Sequence, residues 1–251
     1  MAGTTDDIGE PFSAVAGIEA QGLSSGYGSQ AVIHDVNLVV EPGEVVALLG
    51  ANGAGKTTTL LTLAGELSAM GGQVLLGGAA TKAPLHIRAR RGLTFVTEEK
   101  SIFKGMSARD NLRVGGVDTA TALELFPELE PRLDIRGGLL SGGEQQMLTL
   151  ARALGRNPQV LLADELSMGL APIIVQRLLE AVRDAAKKQG TAVLLVEQHV
   201  RKALGYADRA YVMRRGRIEI EGTASDLAGR IDEIESSYLS TSEVPAPEAE
   251  V

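Results

Sequence analysis

The stretch "GANGAGKT" at residues 50–57 decides the fold. It fits the pattern G-x-x-x-x-G-K-[ST]. It stands after an apolar run, "VVALL" at 45–49, and before a helical pattern, "TTTLLTLAGEL" at 57–67. Strand, glycine-rich turn and helix start are the parts of a phosphate-binding loop. Gly50, Gly53 and Gly55, with Asn52 and Ala54 between them, let backbone N–H groups wrap phosphate oxygens. Lys56 neutralises charge on the terminal phosphates, the Thr57 hydroxyl reaches Mg²⁺, and Thr58 adds a donor. A fortuitous glycine-rich turn needs neither the strand before it nor the helix after it.

A second stretch, "QVLLADE" at 159–165, is an apolar strand that ends in two carboxylates. Ligands of α/β sheets lie at the C-terminal strand edge, so Asp164 is placed to bind Mg²⁺. Glu165 follows it and points elsewhere, which suits a general base that polarises an attacking water. A strand-end acid can simply cap the next loop, but the loop at 50–57 favours chemistry. Together the two stretches predict a nucleoside-triphosphatase of the P-loop class.

The bulk numbers agree. The chain has 251 residues, 44% hydrophobic and 22% charged, enough for one globular domain with a sizeable core. With only 3% aromatics and no Trp, that core must be aliphatic. The absence of Cys excludes disulfides, thiol catalysis and thiolate metal sites. No apolar run is long enough to span a bilayer, and "MAGTTDDIGEPFS" lacks the pattern of a signal peptide. The formal charge is −8. Asp6, Asp7, Glu10, Glu243, Glu248 and Glu250 lie in the ends, which leaves −2 on the body. A nearly neutral body without a basic block argues against nucleic acid as partner. The ends, 1–15 and 241–251, are poor in apolar residues and are expected to be disordered tails around one domain at 16–240.

Along the body, "VNLVVEPGEVVALLG" at 36–50 reads as a hairpin about "EPGE". The run "TAVLLVEQ" at 191–198 reads as a buried strand. A helix with Pro172 in its first turn and Gly190 as its stop lies before it, which makes a βαβ unit. The stretch "ADRAYVMRRGRIEIEG" at 207–222 alternates about "RRG" as a strand pair. Residues from about 85 to 155 have one strand signal, "GLTFV" at 92–96, and are otherwise expected to form an inserted helical subdomain.

A third stretch, "LLSGGEQQ" at 139–146, says which kind of P-loop protein this is. Ser141 precedes two glycines at a helix start, and exposed N–H groups there attract anions. The stretch matches the signature sequence of ATP-binding cassette (ABC) ATPases, and over about 17–239 the chain resembles that family. The resemblance implies an α/β fold: a RecA-like P-loop core sheet, an N-terminal antiparallel β subdomain and the inserted helices. It implies hydrolysis of ATP with Mg²⁺. It implies that two cassettes face each other, so that Ser141, Gly142, Gly143, Glu144 and Gln145 of one chain close on the γ-phosphate held by the other. The second loop then needs no lysine, because it brings oriented N–H dipoles to an anion already neutralised. By the same resemblance Tyr27, in "SGYGSQAVIHDV", stacks on adenine. His199, in "VEQHV", contacts the γ-phosphate. Glu98, in "VTEEKSIF", occupies the position of a Mg²⁺-sensing Gln.

Two further departures are Leu166, where the general cassette has Pro, and Ala171, where it has Asp. With "SMGLAPIIV" and "YADRAYVMRRGRIEIEGT" they are similar to the smaller ATPase subunit of branched-chain amino acid importers and their urea and amide relatives. That likeness implies transmembrane permease subunits, a second cassette, indirectly a solute-binding protein, and a place on the cytoplasmic face of the membrane. An exporter or lipid-extracting cassette is the alternative, and a soluble non-transport cassette a more distant one.

Overall fold

The computed structural model describes residues 17–239; the tails expected at 1–15 and 241–251 lie outside the described residues. Strands β1 (Ile18–Tyr27) and β2 (Gln30–Val40) pair antiparallel, with Ile18 opposite Val40 and Tyr27 opposite Gln30. Next come β3 (Val45–Leu49) and helix α1 (Lys56–Ala64). Strands β4 (Ala69–Leu76) and β5 (Ala79–Thr81) then complete a four-stranded antiparallel sheet, ordered β2-β1-β4-β5.

β3 does not pair with β2, contrary to the hairpin expected at 36–50. The turn does form, with the Glu44 N–H donating to the Glu41 carbonyl at 3.1 Å. The strands beyond it part into different sheets. β2 alternates between buried and open positions, as a one-sided strand does, whereas all five residues of β3 are buried. An apolar run covered on both faces belongs inside a parallel sheet. β3 accordingly lies between two strands from the far end of the chain, β8 (Ala192–Glu197) and β9 (Arg209–Arg214), parallel to both. The full order is β10-β9-β3-β8-β7-β6, where β6 is Leu93–Val96, β7 is Val160–Asp164 and β10 is Arg217–Thr223. Only β10 runs antiparallel to its neighbour.

Alternate residues of the buried strands enter different cores, as a period of two requires. Leu161, Ala163, Val193 and Leu195 face helices α5 (Gly142–Leu154) and α6 (Pro172–Gln189). Val160, Leu162, Leu194 and Val196 face α1 and the antiparallel sheet, through Leu60, Leu63, Ile18 and Val36. α6 crosses from β7 to β8, with Pro172 in its first turn, Lys187 and Lys188 in its last, and Gly190 left-handed at its end. The predicted βαβ unit is therefore present.

The insertion is narrower than its expected start at residue 85. Helix α2 (Leu85–Arg90) leads into β6, and β6 is hydrogen-bonded to β7 in the core sheet. The strand-free stretch begins after Val96. It holds α3 (Ala108–Val114), α4 (Thr119–Leu125) and α5, around the fully buried Leu112, Phe126, Leu129 and Leu150. Among the described residues, three short helices follow β8: α7 (Val200–Tyr206) before β9, then α8 (Ala224–Ala228) and α9 (Ile231–Leu239) after β10. Among the described residues, no helix is long and apolar enough to cross a membrane.

Candidate nucleotide site

The loop between β3 and α1 opens on a cleft of about 390 Å³. Asn52, Gly53, Gly55, Lys56, Thr57 and Thr58 form its floor, and Glu98, Glu165 and Gln198 its far side. Two glycines cannot be replaced without moving the loop. At Gly55 the backbone is left-handed, with φ +108°, and an added Cβ would stand 2.8 Å from Ile33 Cγ2. At Gly50 an added Cβ would meet the Met213 carbonyl oxygen at 2.5 Å. The helix that follows presents free N–H groups and its positive end to the cleft.

Lys56 is only 5% exposed. Its ammonium donates to the carbonyls of Gly50 at 2.7 Å and Ala51 at 3.1 Å, which pins it to the loop and leaves one N–H for a ligand. Burial lowers its pKa, against the pull of Glu165, Asp164 and Glu197, which raise it. A nearby triphosphate would act in the same sense as those carboxylates.

Asp164 closes β7 and is 4% exposed. One oxygen, Oδ2, accepts from the Thr57 hydroxyl at 3.1 Å, while Oδ1 is buried with no hydrogen-bond partner among the described residues. Burial pushes its carboxyl up to about 6; the Thr57 bond opposes this, Glu165 adds to it, Lys56 opposes it and Glu98 adds to it. A buried anion with an orphaned oxygen, beside a hydroxyl and a second carboxylate, has the donor chemistry that a hard divalent cation takes. The residues fit Mg²⁺: Thr57 and Asp164 would hold it, with Glu98 across the cleft.

Glu165 leaves the strand with φ +47°, in the left-handed region. Its N–H donates to the Val196 carbonyl at 3.0 Å, and its Oε1 accepts from Gln198 Nε2 at 2.7 Å. The turn aims the carboxylate into the cleft, away from Asp164's buried position. The two adjacent acids therefore meet different surroundings, one open to the cleft and one buried.

The structure brings most of the predicted residues together and leaves three groups apart. His199 does not line the cleft. It is exposed at the residue before α7, while Gln198 turns inward in its place. β8 ends at Glu197, so the first residue beyond the strand edge is Gln198, one position earlier than expected. Only the strand end could have revealed this, because an imidazole is the commoner partner for phosphate. Tyr27 stands 54% exposed at the end of β1, on the same hairpin as the cleft residue Val32.

Ser141, Gly142 and Gly143 also lie outside the cleft. They start α5 through a complete capping box. The Ser141 hydroxyl accepts from the Glu144 N–H at 3.3 Å, and the Ser141 N–H donates to Glu144 Oε2 at 2.8 Å. Arg132 bonds Glu144 at 2.7 Å, and Gln145 Nε2 donates to the carbonyls of Gly137 at 3.0 Å and Leu140 at 3.2 Å. Ser141 and Gly142 are exposed, and the helix start is held rigid towards solvent.

Known proteins resemble this chain in sequence and fold. A family described as ABC transporter matches residues 33–167. The high-affinity branched-chain amino acid transport ATP-binding protein BraG of Pseudomonas aeruginosa PAO1 is 41% identical over 215 residues, covering 82% of this chain and 92% of BraG. The lipopolysaccharide export system ATP-binding protein LptB of Escherichia coli K12 is 36% identical over 228 residues, covering 85% of this chain and 93% of LptB. A solved ATP-binding subunit of an ABC transporter superposes with a TM-score of 0.76 at 28% identity, over 88% of this chain and 99% of that one. With its phosphate loop, paired strand-end carboxylates and signature helix in these positions, the chain belongs to the ABC transporter family, as one of its ATP-binding cassettes.

Proposed function

We propose that the chain powers a membrane importer of branched-chain amino acids or similar small polar solutes, by hydrolysing ATP between two cassettes. One observation carries the shared-site reading: the signature helix start is exposed and preformed, yet absent from the cleft of its own chain. A rigid set of N–H dipoles facing solvent suits a phosphate held by another molecule. ATP lies on 50–58, with its terminal phosphate beside Lys56. Tyr27 stacks on the base. Thr57 and Asp164, with Glu98 across the cleft, would hold Mg²⁺, which would supply charge neutralisation. Glu165 takes the proton of the attacking water, and Gln198 orients its carboxylate. His199 takes no part in that geometry.

Ser141, Gly142 and Gly143 of the partner complete the donor set around the γ-phosphate, so triphosphate joins the two chains and its cleavage releases them. Such a change of pairing is a two-state switch biased by ligand charge. The segment from Glu98 to about Leu112 runs from the cleft into the helical insertion and is the dock for a permease helix. The permease places the chain on the cytoplasmic face of the membrane, and a solute-binding protein acts indirectly through it. The likeness to BraG favours import, and that to LptB supports export as the second reading. Identification of the subunits that co-purify from native membranes separates them: two permeases with a solute binder for import, lipopolysaccharide-handling subunits for export.

Ser141→Arg tests the shared site. A bulky cation at the exposed helix start is expected to leave the binding of a fluorescent ATP analogue within about twofold, while hydrolysis falls by about 10²-fold or more, the scale of losing transition-state donors. Loss of binding by the isolated chain would mean that the loop serves its own nucleotide.

A further inference from the structure

Glu197 is 2% exposed and takes no part in the chemistry just described. A buried carboxylate is costly unless it is bonded, and the two groups that donate to the Glu197 carboxylate belong to one residue. Its Oε2 accepts from the Ser167 hydroxyl at 2.6 Å, and its Oε1 from the Ser167 N–H at 3.2 Å. Ser167 is itself buried and lies two residues beyond Glu165. Three consecutive residues at the end of β8 therefore grip the segment that carries Glu165. The Val196 carbonyl holds the Glu165 N–H, the Glu197 side chain holds Ser167, and the Gln198 side chain holds the Glu165 carboxylate.

The grip has a reason. A non-glycine residue in the left-handed region is strained by its Cβ and persists only where its surroundings impose it. Glu165 is such a residue, with φ +47°. Its strand side is fixed by β7. Its loop side runs on through Ser167 to the exposed Met168, Gly169 and beyond. Ser167 is the first buried polar anchor on that side.

We propose that Glu197 is a positioning residue for hydrolysis: through Ser167 it fixes the loop that follows Glu165, and so keeps the Glu165 carboxylate in its left-handed turn facing the cleft. It touches neither nucleotide nor water. The proposal rests on Glu165 acting as the base.

Ser167→Ala, Ser167→Thr, Glu197→Gln and the double variant Ser167→Ala/Glu197→Gln, in the full chain, provide the test. The readouts are kcat, KM for ATP, binding of a fluorescent ATP analogue, and Tm. Ser167→Ala and Glu197→Gln are each expected to lower kcat about tenfold, a fraction of the about 10²-fold loss that a misplacement of 1 Å can produce. KM and analogue binding are expected to stay within about twofold, because the loop at 50–58 is untouched. Ser167→Thr keeps a hydroxyl and is expected to restore kcat. The double variant is expected to be no slower than the slower single, since both break one contact.

Turnover within twofold of the unaltered chain in both single variants would overturn the proposal. So would joint loss of kcat, ATP binding and Tm, which marks a merely structural role. If these variants keep full turnover while Glu165→Gln loses it, the positioning inference fails and the base stands. If Glu165→Gln also keeps turnover, the reading beneath it fails.

Discussion

Glu165→Gln is expected to lower ATP hydrolysis by at least 10²–10³-fold while leaving ATP binding within about twofold. The substitution is nearly isosteric. The new amide oxygen can still accept from Gln198 Nε2, which stands 2.7 Å from the present carboxylate, so the left-handed turn is kept. What is lost is the basic carboxylate that takes the proton of water. Lys56 and the loop at 50–58 would still hold the triphosphate, and Thr57 and Asp164 the cation, so the shared anion would persist and a paired species should accumulate with ATP on size exclusion. Normal turnover with a single-chain elution volume would remove Glu165 from the base role.

Asp164→Asn is expected to separate stability from activity. The Asp164 carboxyl is pushed up to about 6 by burial, above the ordinary value of 3.8, so the folded chain binds a proton more tightly than the unfolded one. Stability from this group is therefore greatest below about pH 4 and falls as pH rises through 6. At neutral pH the nucleotide-free chain carries the cost of a buried anion. At about 1.4 kcal/mol per pKa unit, that cost is about 1–3 kcal/mol. Asparagine removes the charge and keeps an oxygen for the Thr57 hydroxyl. Without nucleotide or divalent cation, Asp164→Asn should raise Tm at pH 7.5 by several degrees, with the gain shrinking towards pH 4. Hydrolysis should fall by at least about 10²-fold, since the charge that the cation needs is gone. A variant that is destabilised at pH 7.5, or that hydrolyses ATP normally, would contradict this account of the buried carboxylate.

The sequence was most legible where one short stretch must do one thing. The phosphate loop, the two carboxylates at the end of β7 and the capped helix at Ser141 all lie where their local patterns place them, because each pattern specifies its own backbone. Pairing was less legible. The turn at 41–44 forms, yet β2 and β3 enter different sheets, and that choice depends on β8 and β9, which come some 150–165 residues later. The full burial of β3 was visible as an unbroken apolar run, and that signal is the one that outweighs the turn.

At the site, Gln198 and not His199 faces the cleft because β8 ends at Glu197, whereas residue type alone pointed to the histidine. The contact between Glu197 and Ser167 was not legible at all, since 30 residues and a whole helix separate its partners. Tyr27 lies outside the cleft lining, on the hairpin that carries the cleft residue Val32, and its stacking on the base is a proposal.

The most direct test of the shared site is the rate of ATP hydrolysis per chain as the purified protein is diluted. If two chains must enclose each γ-phosphate, the rate per chain falls with dilution, and added Glu165→Gln chain, inactive by itself, changes it through mixed pairs. A rate per chain that stays constant down to concentrations at which only single chains are present would contradict the account.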